Sequence, residues 1–221
     1  DYGKYDLEII AEINHAPQLS LEVILAEARK LADDGANVID VMCDPAETWQ
    51  EVGPVVRELC AAGHRVSIDS FNPKEVEAAV AAGAELVLSV DKTNLHLAVD
   101  WGCEVVLIPD KVGTLDGLEG SIEKLTAAGM PFRIDPIIEP IGFGFAASLG
   151  RYLEVRRRFP EVEIMMGIGN LTELTDVDSA GVNVLLLGFC QELGIRSVLT
   201  TEVINWARSS VAECDLARRL M

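Results

Sequence analysis

The chain has 221 residues and a formal net charge of −18. That balance leaves no basic surface to displace counterions from phosphates, which argues against nucleic acid as a partner. Apolar residues make up 49% of the chain, enough for one sizeable core, but no apolar run reaches the ~18 residues of a bilayer span. A soluble, cytoplasmic protein with no membrane partner is therefore expected.

In chain order, the opening run LEIIAEI (7–13) predicts a buried strand. Leu21, Ile24, Leu25, Ala28, Leu31 and Ala32 then recur at helical spacing. From there one unit repeats, in which a helical segment ends in glycine and a short apolar run follows at once. It occurs at Gly35, Gly63, Gly83, Gly102, Gly129 and Gly194, with Pro160 as the stop before EVEIMMG. Glycine just past a helix suits the left-handed position there. The predicted strands are 7–13, 36–43, 65–69, 85–90, 104–109, 132–135, 163–167 and 197–201. Asn72-Pro73 reads as a helix start, and a final helix is expected over 202–219.

These runs are apolar without alternation, as in strands buried on both faces of a parallel sheet. Eight strand–helix units predict a single (β/α)₈ TIM barrel. The competing reading, an open doubly wound sheet, lacks a glycine-rich phosphate turn after the first strand. The chain opens on Asp1 rather than Met, with no secretion signal before it. One barrel domain over 1–221, trimmed or cut from a longer protein, is expected. Cys43, Cys60, Cys103, Cys190 and Cys214 form no C-x-x-C pair, so reduced thiols are expected rather than a disulfide or zinc framework. Arg151 with Arg156, Arg157 and Arg158 reads as a solvated helix face. His15, Cys43 and Asp44 have no metal-ligand spacing and read as loop packing.

Barrel enzymes place their chemistry at the carboxyl ends of the strands. Read in order, those ends carry Asn14-His15, Cys43-Asp44, Asp69-Ser70, Ser89-Asp91, Asp110-Lys111, Asp135, Gly169-Asn170 and Thr200-Glu202. Asp69 and Asp135 stand out, because each directly follows a buried run and a buried carboxylate needs a partner. Each could cap the next helix or bond loop amides. Alternatively, the pair could face a planar ligand with a row of N–H donors, which a carboxylate accepts in a bidentate way.

Several stretches, in order, resemble the dihydropteroate synthases and pterin-dependent methyltransferases, a pterin-binding family. They are AEINHAP, GANVIDVMCDP, VSIDSFNPKEVEAAVAAGAELVLSV, RIDPIIEPIGFGF and IMMGIGNLT. The resemblance implies that Asp69 and Asp135 hold the donor edges of a reduced pterin. It places Asn14 at the mouth near the reacting end, with Mg²⁺ there beside a leaving diphosphate. It places Asn170 against the methyl-bearing nitrogen of a methyl-tetrahydropterin. The synthase's pterin-binding Asn on the fourth strand becomes Leu88 or Ser89. Its Ser-Arg-Lys triplet becomes Gly169-Asn170-Leu171, its Arg and His become Leu199-Thr200-Thr201, and its second loop becomes Cys43-Asp44-Pro45-Ala46. The cations that would handle a diphosphate are thus mostly missing, with Lys92 and Lys111 as substitutes.

Three functions follow. One is a synthase-like transferase joining a pterin methyl diphosphate to an arylamine in folate or methanopterin-type biosynthesis. The second moves a methyl group from a methyl-tetrahydropterin to a separate corrinoid protein, a branch that Asn170 and Glu12 fit. The third is a non-catalytic pterin-binding module. The resemblance also implies a homodimer through the last helices, with Val182, Leu186, Phe189 and Ile204 contributing.

Overall fold

The computed structural model describes residues 6–45, 47–177 and 179–221. Eight parallel strands close into a barrel in sequence order. They are β1 (Glu8–Ile13), β2 (Val38–Met42), β3 (Val66–Asp69), β4 (Leu86–Val90), β5 (Glu104–Leu107), β6 (Phe132–Ile134), β7 (Glu163–Met166) and β8 (Ser197–Thr201). The barrel and the eight strands match the sequence expectation, each within two residues at either end.

The helices between them are α1 (Leu21–Asp33), α2 (Val52–Ala61), α3 (Pro73–Ala82), α4 (Leu95–Trp101), α5 (Leu118–Ala128) and α6 (Phe145–Arg158). A short α7 (Gly169–Thr172) and a longer α8 (Ser179–Leu193) both fall between β7 and β8, and α9 (Ser210–Leu220) closes the chain. Asn72 caps α3 as expected, its side chain accepting from the Lys74 amide. Gly35 has φ 116°, and a Cβ there would meet the Asp215 Cβ at 2.6 Å. Backbone and neighbour therefore both require glycine at that corner.

The final helix is shorter than expected. The stretch from 202 begins with Glu202, whose carboxylate is occupied by Lys30 and by the Val211 amide. A single 3-10 turn (Asn205–Ala207) follows, and regular helix starts only at Ser210. In the arginine cluster, Arg157 and Arg158 are exposed as expected, but Arg151 and Arg156 depart from a solvated face. Arg151 is buried and donates to the carbonyls of Pro136 and Ile137 and to Glu139. Arg156 bonds four carbonyls, among them Leu193 and Gly194. Both arginines act as braces that satisfy loop carbonyls. Leu186 is 3% exposed and packs in the core, with Val182 and Phe189 against it. The exposed apolar residues on that face are instead Val184, Leu185, Leu216 and Leu220.

The core has two parts, as strand alternation in a closed barrel dictates. Ile9, Ala11, Ile39, Val41, Val66 and Ile68 face the helices within the larger cluster. Ile10, Val38, Leu86, Leu88, Val106 and Met165 form a compact cluster inside the barrel. Below it, at the amino ends of the strands, Arg133 bonds Glu8 and Glu104, and Arg65 bonds Glu8 and Glu85. This ion-pair network plugs the end of the barrel away from the loops. Among the described residues no helix is long and apolar enough to cross a membrane.

Candidate functional site

Above the inner apolar cluster, at the carboxyl ends of the strands, lies a cavity of about 300 Å³. Its size is at the lower end of the range for small-molecule sites. Met42, Leu88, Val106, Met165 and Leu199 give it apolar surface. Asn14, Asp69, Ser89, Asp135 and Asn170 all border it. Barrel closure thus brings together five residues that the sequence singles out separately.

Asp135 is buried and firmly held. Its Oδ1 accepts from the Tyr152 hydroxyl at 2.5 Å and from the Ile137 amide at 2.8 Å, and its Oδ2 accepts from the Gly167 amide at 3.2 Å. The loop-amide reading of this residue is therefore realised, yet it also borders the cavity. With two donors on Oδ1 and one on Oδ2, the free acceptor site for a ligand is on Oδ2. Burial pushes its pKa up to about 6, against the pull of the Tyr152 hydroxyl, the two amides and Arg151. It is mostly ionised at neutral pH.

Asp69 ends β3, and burial raises its pKa while a bond from the Ser89 hydroxyl opposes the rise. Ser89 reaches it through a local distortion. The β4–β5 register shifts between Val87 and Val90, and Ser89 has φ 60°. Such a bulge re-aims one side chain at the end of a strand. Ile137, at φ 62°, is a second strained corner bordering the cavity, unusual for a β-branched residue. It is held by its amide bond to Asp135 and by Arg151 on its carbonyl.

The sequence also hides carboxylates inside apolar runs. Glu12 lies in register with Asp40 across β1 and β2, and Asp40 with Ser67 across β2 and β3. Neighbouring strands are about 4.8 Å apart, so these groups stand side by side within the barrel. Asp40 is fully buried; its Oδ1 accepts from the Ser67 hydroxyl at 2.6 Å and its Oδ2 has no hydrogen-bond partner. Burial, then Asp69 and Glu12, push its pKa well up. Glu12 borders the cavity, and burial together with Asp69 and Glu173 raises it to about 8. Like charges this close cannot all ionise, and Glu12, at about 8, carries a proton at neutral pH. Glu173 adds a further carboxyl to the wall, raised by burial and lowered by His15. The signal for Asp40 and Glu12 was the acid inside each of VIDV and IIAEI.

Asn14 is engaged from both ends, its Oδ1 accepting from the Thr201 hydroxyl and its Nδ2 lying 3.9 Å from the Met42 sulfur. The Thr201 hydroxyl uses one of the two acceptor sites on the Asn14 carbonyl. Among the described residues no three His, Cys, Asp or Glu side chains are grouped to hold a metal. Asn170 is exposed at the mouth, its Nδ2 3.5 Å from the Ile138 carbonyl. Lys92 and Lys111 are both exposed on loops and do not border the cavity. The Lys92 amide is tied to Asp110, and the Lys111 carbonyl accepts from the Thr114 hydroxyl. Ala46, in the second loop, lies outside the described residues.

Residues 13–121 match the family model described as "Pterin binding enzyme". An uncharacterized protein of Methanocaldococcus jannaschii is 30% identical over 240 residues, covering 99% of this chain and 45% of that protein. A dihydropteroate synthase of Bacillus subtilis is 25% identical over 194 residues, covering 76% of this chain and 62% of that enzyme. The chain thus spans less than two thirds of the length of these curated relatives. The solved structure of Xanthomonas albilineans dihydropteroate synthase in complex with 7,8-dihydropteroate superposes with a TM-score of 0.74 at 22% identity, covering 97% of this chain and 92% of that one. At that identity the likeness is one of fold.

Proposed function

We propose that this chain, which belongs to the pterin-binding enzyme family, binds a reduced pterin at its barrel mouth and acts there as a transferase. The observation that carries this reading is the meeting of Asp69 and Asp135 on one cavity with apolar surface between them. The faces of a fused heterocycle suit that apolar surface, and its amino and ring N–H groups suit the carboxylate oxygens. The reaction we assign is the joining of a pterin methyl diphosphate to an arylamine. As the C–O bond to the diphosphate breaks, positive charge develops on the exocyclic carbon. Wall carboxylates stabilise that charge in a partly dry site. The amine nitrogen then forms the C–N bond and gives up a proton. Lys92 and Lys111 stand outside the cavity walls, so any help they give the diphosphate comes from the rim.

The test is calorimetric titration with a reduced pterin. Asp69→Asn and Asp135→Asn should each weaken binding at least tenfold, a loss of ~1.4 kcal/mol or more. Unchanged affinity in both variants would remove the proposed site.

A second reading, methyl transfer from a methyl-tetrahydropterin to a corrinoid protein, is favoured by Asn170 and Glu12 on the same cavity. Glu12, raised to about 8, carries a proton at neutral pH and could supply it to the nitrogen that loses its methyl group. Comparing hydroxymethylpterin diphosphate with a methyl-tetrahydropterin as ligands separates the two readings. Binding without turnover of either would leave a non-catalytic module. On the same family reading, two copies pair through the α8–α9 face, where Leu185, Leu216 and Leu220 are exposed.

A further inference from the structure

A second cavity, of about 360 Å³, opens beside the first and shares Met42 and Asp69 with it. It lies between the loop after β2 and the loop after β3. Among the described residues its lining includes the carboxylates of Asp44, Glu47, Asp69 and Glu75 and no lysine, arginine or histidine. Glu75 is 2% exposed and is fixed by the Trp49 amide at 2.6 Å and by the Ser70 hydroxyl. The local field shows at Cys43, whose thiol is pushed far up by burial and by the Glu75, Asp40 and Asp69 carboxylates. At the lip, Pro45 and the half-exposed Phe71 offer flat apolar surfaces that suit an aromatic ring.

We propose that this second cavity seats the amine co-substrate, and that it selects an arylamine whose ring bears no carboxylate. The preferred amine is neutral, with hydroxyl or amide substituents, or cationic. The inference rests on the pterin reading and narrows its second substrate. An aromatic carboxylate brought into this cavity would face like charges with no cation to pair it, and would be rejected by repulsion and desolvation. A hydroxyl or amide can instead donate to the wall carboxylates. The shared Asp69 sets the two ligands edge to edge. The amine lone pair forms the C–N bond to the pterin's exocyclic carbon, the C–O bond breaks, and its electron pair leaves with the diphosphate. The proton released from nitrogen passes to an ionised wall carboxylate.

The experiment is calorimetry in two stages. The first titrates reduced hydroxymethylpterin alone and reports on the earlier reading. The second titrates 4-aminobenzamide, 4-aminobenzyl alcohol and 4-aminobenzoate into protein with and without that pterin. The neutral amines should bind at least tenfold more tightly than 4-aminobenzoate under both conditions. Glu47→Lys places one cation on the exposed wall and should tighten 4-aminobenzoate at least fivefold. Equal or tighter binding of 4-aminobenzoate to the unmodified protein would overturn the proposal. So would failure of all three amines to bind, even where the pterin binds normally. Failure of the pterin alone, with the amine ranking intact, would count against the earlier reading instead.

Discussion

Tyr152→Phe isolates the tuning of Asp135 with little other disturbance. The hydroxyl is fully buried and donates to Asp135 Oδ1 at 2.5 Å; phenylalanine keeps the ring and leaves no orphaned donor. A hydrogen bond to a charged group contributes about 1.5–3 kcal/mol, and one pKa unit corresponds to ~1.36 kcal/mol. Losing the bond should therefore raise the Asp135 carboxyl by about 1–2 units, from about 6 to roughly 7–8. A protonated carboxyl accepts poorly from pterin N–H groups. In the parent protein, binding should fade as pH drops through about 6; in the variant it should fade between about 8 and 7. The assay is calorimetric titration of a reduced pterin over a pH range that brackets both midpoints, with circular dichroism to confirm folding. Stability should also fall, and by more above pH ~7 than near pH ~5, because the lost bond is the charged one. A binding midpoint that does not move would refute the claim that Tyr152 sets the ionisation of Asp135.

Three other outcomes are expected. The Glu12 carboxyl is raised in the folded state to about 8, so the native protein holds a proton that the unfolded chain releases near pH ~4.5. Stability therefore falls as pH climbs between those values. Glu12→Gln should melt higher than the parent above pH ~8, with the difference vanishing below pH ~4; a constant difference across that range would contradict the assignment. Arg133→Met removes the partner of Glu104 and one of the two partners of Glu8 at the closed end of the barrel. The Arg133 side chain is 12% exposed, so the loss should be about 2–3 kcal/mol, below the ~3–5 of a fully buried pair, read from urea midpoints. Gly35→Ala forces a side chain onto Asp215 at a φ of 116° and should cost at least about 2 kcal/mol by the same measurement.

The barrel was legible because its signals are local. A glycine corner followed by an apolar run marks six of the strands and Pro160 a seventh, and with the opening run the eight strands leave few ways to close a sheet. Asn14, Asp69, Ser89, Asp135 and Asn170 were legible as a set for a related reason: closure turns eight strand ends into one ring. Elements decided across the barrel were not. Asp40 sits inside a run that reads as apolar, and only the inter-strand register places it beside Glu12, which the resemblance had already singled out. Tyr152 reaches Asp135 from a helix 17 residues on, a contact no periodicity announces. Lys92 and Lys111 lie just past strand ends, but loop residues need not face the mouth, and both are exposed and do not border the cavity. The final helix began late because Glu202 was committed to Lys30 and Val211, partners remote in sequence.

The two strained corners, Ser89 and Ile137, have a consequence for anyone reshaping this scaffold. Each left-handed residue costs the fold on the order of 1–3 kcal/mol, and glycine would relieve both. A library sorted for heat resistance alone would drift toward glycine at 89 and 137. It would then discard the hydroxyl that steadies Asp69 and the side chain that helps shape the pocket. Thermal selection on this barrel thus runs opposite to recognition at two named positions, and needs a ligand screen beside it at every round.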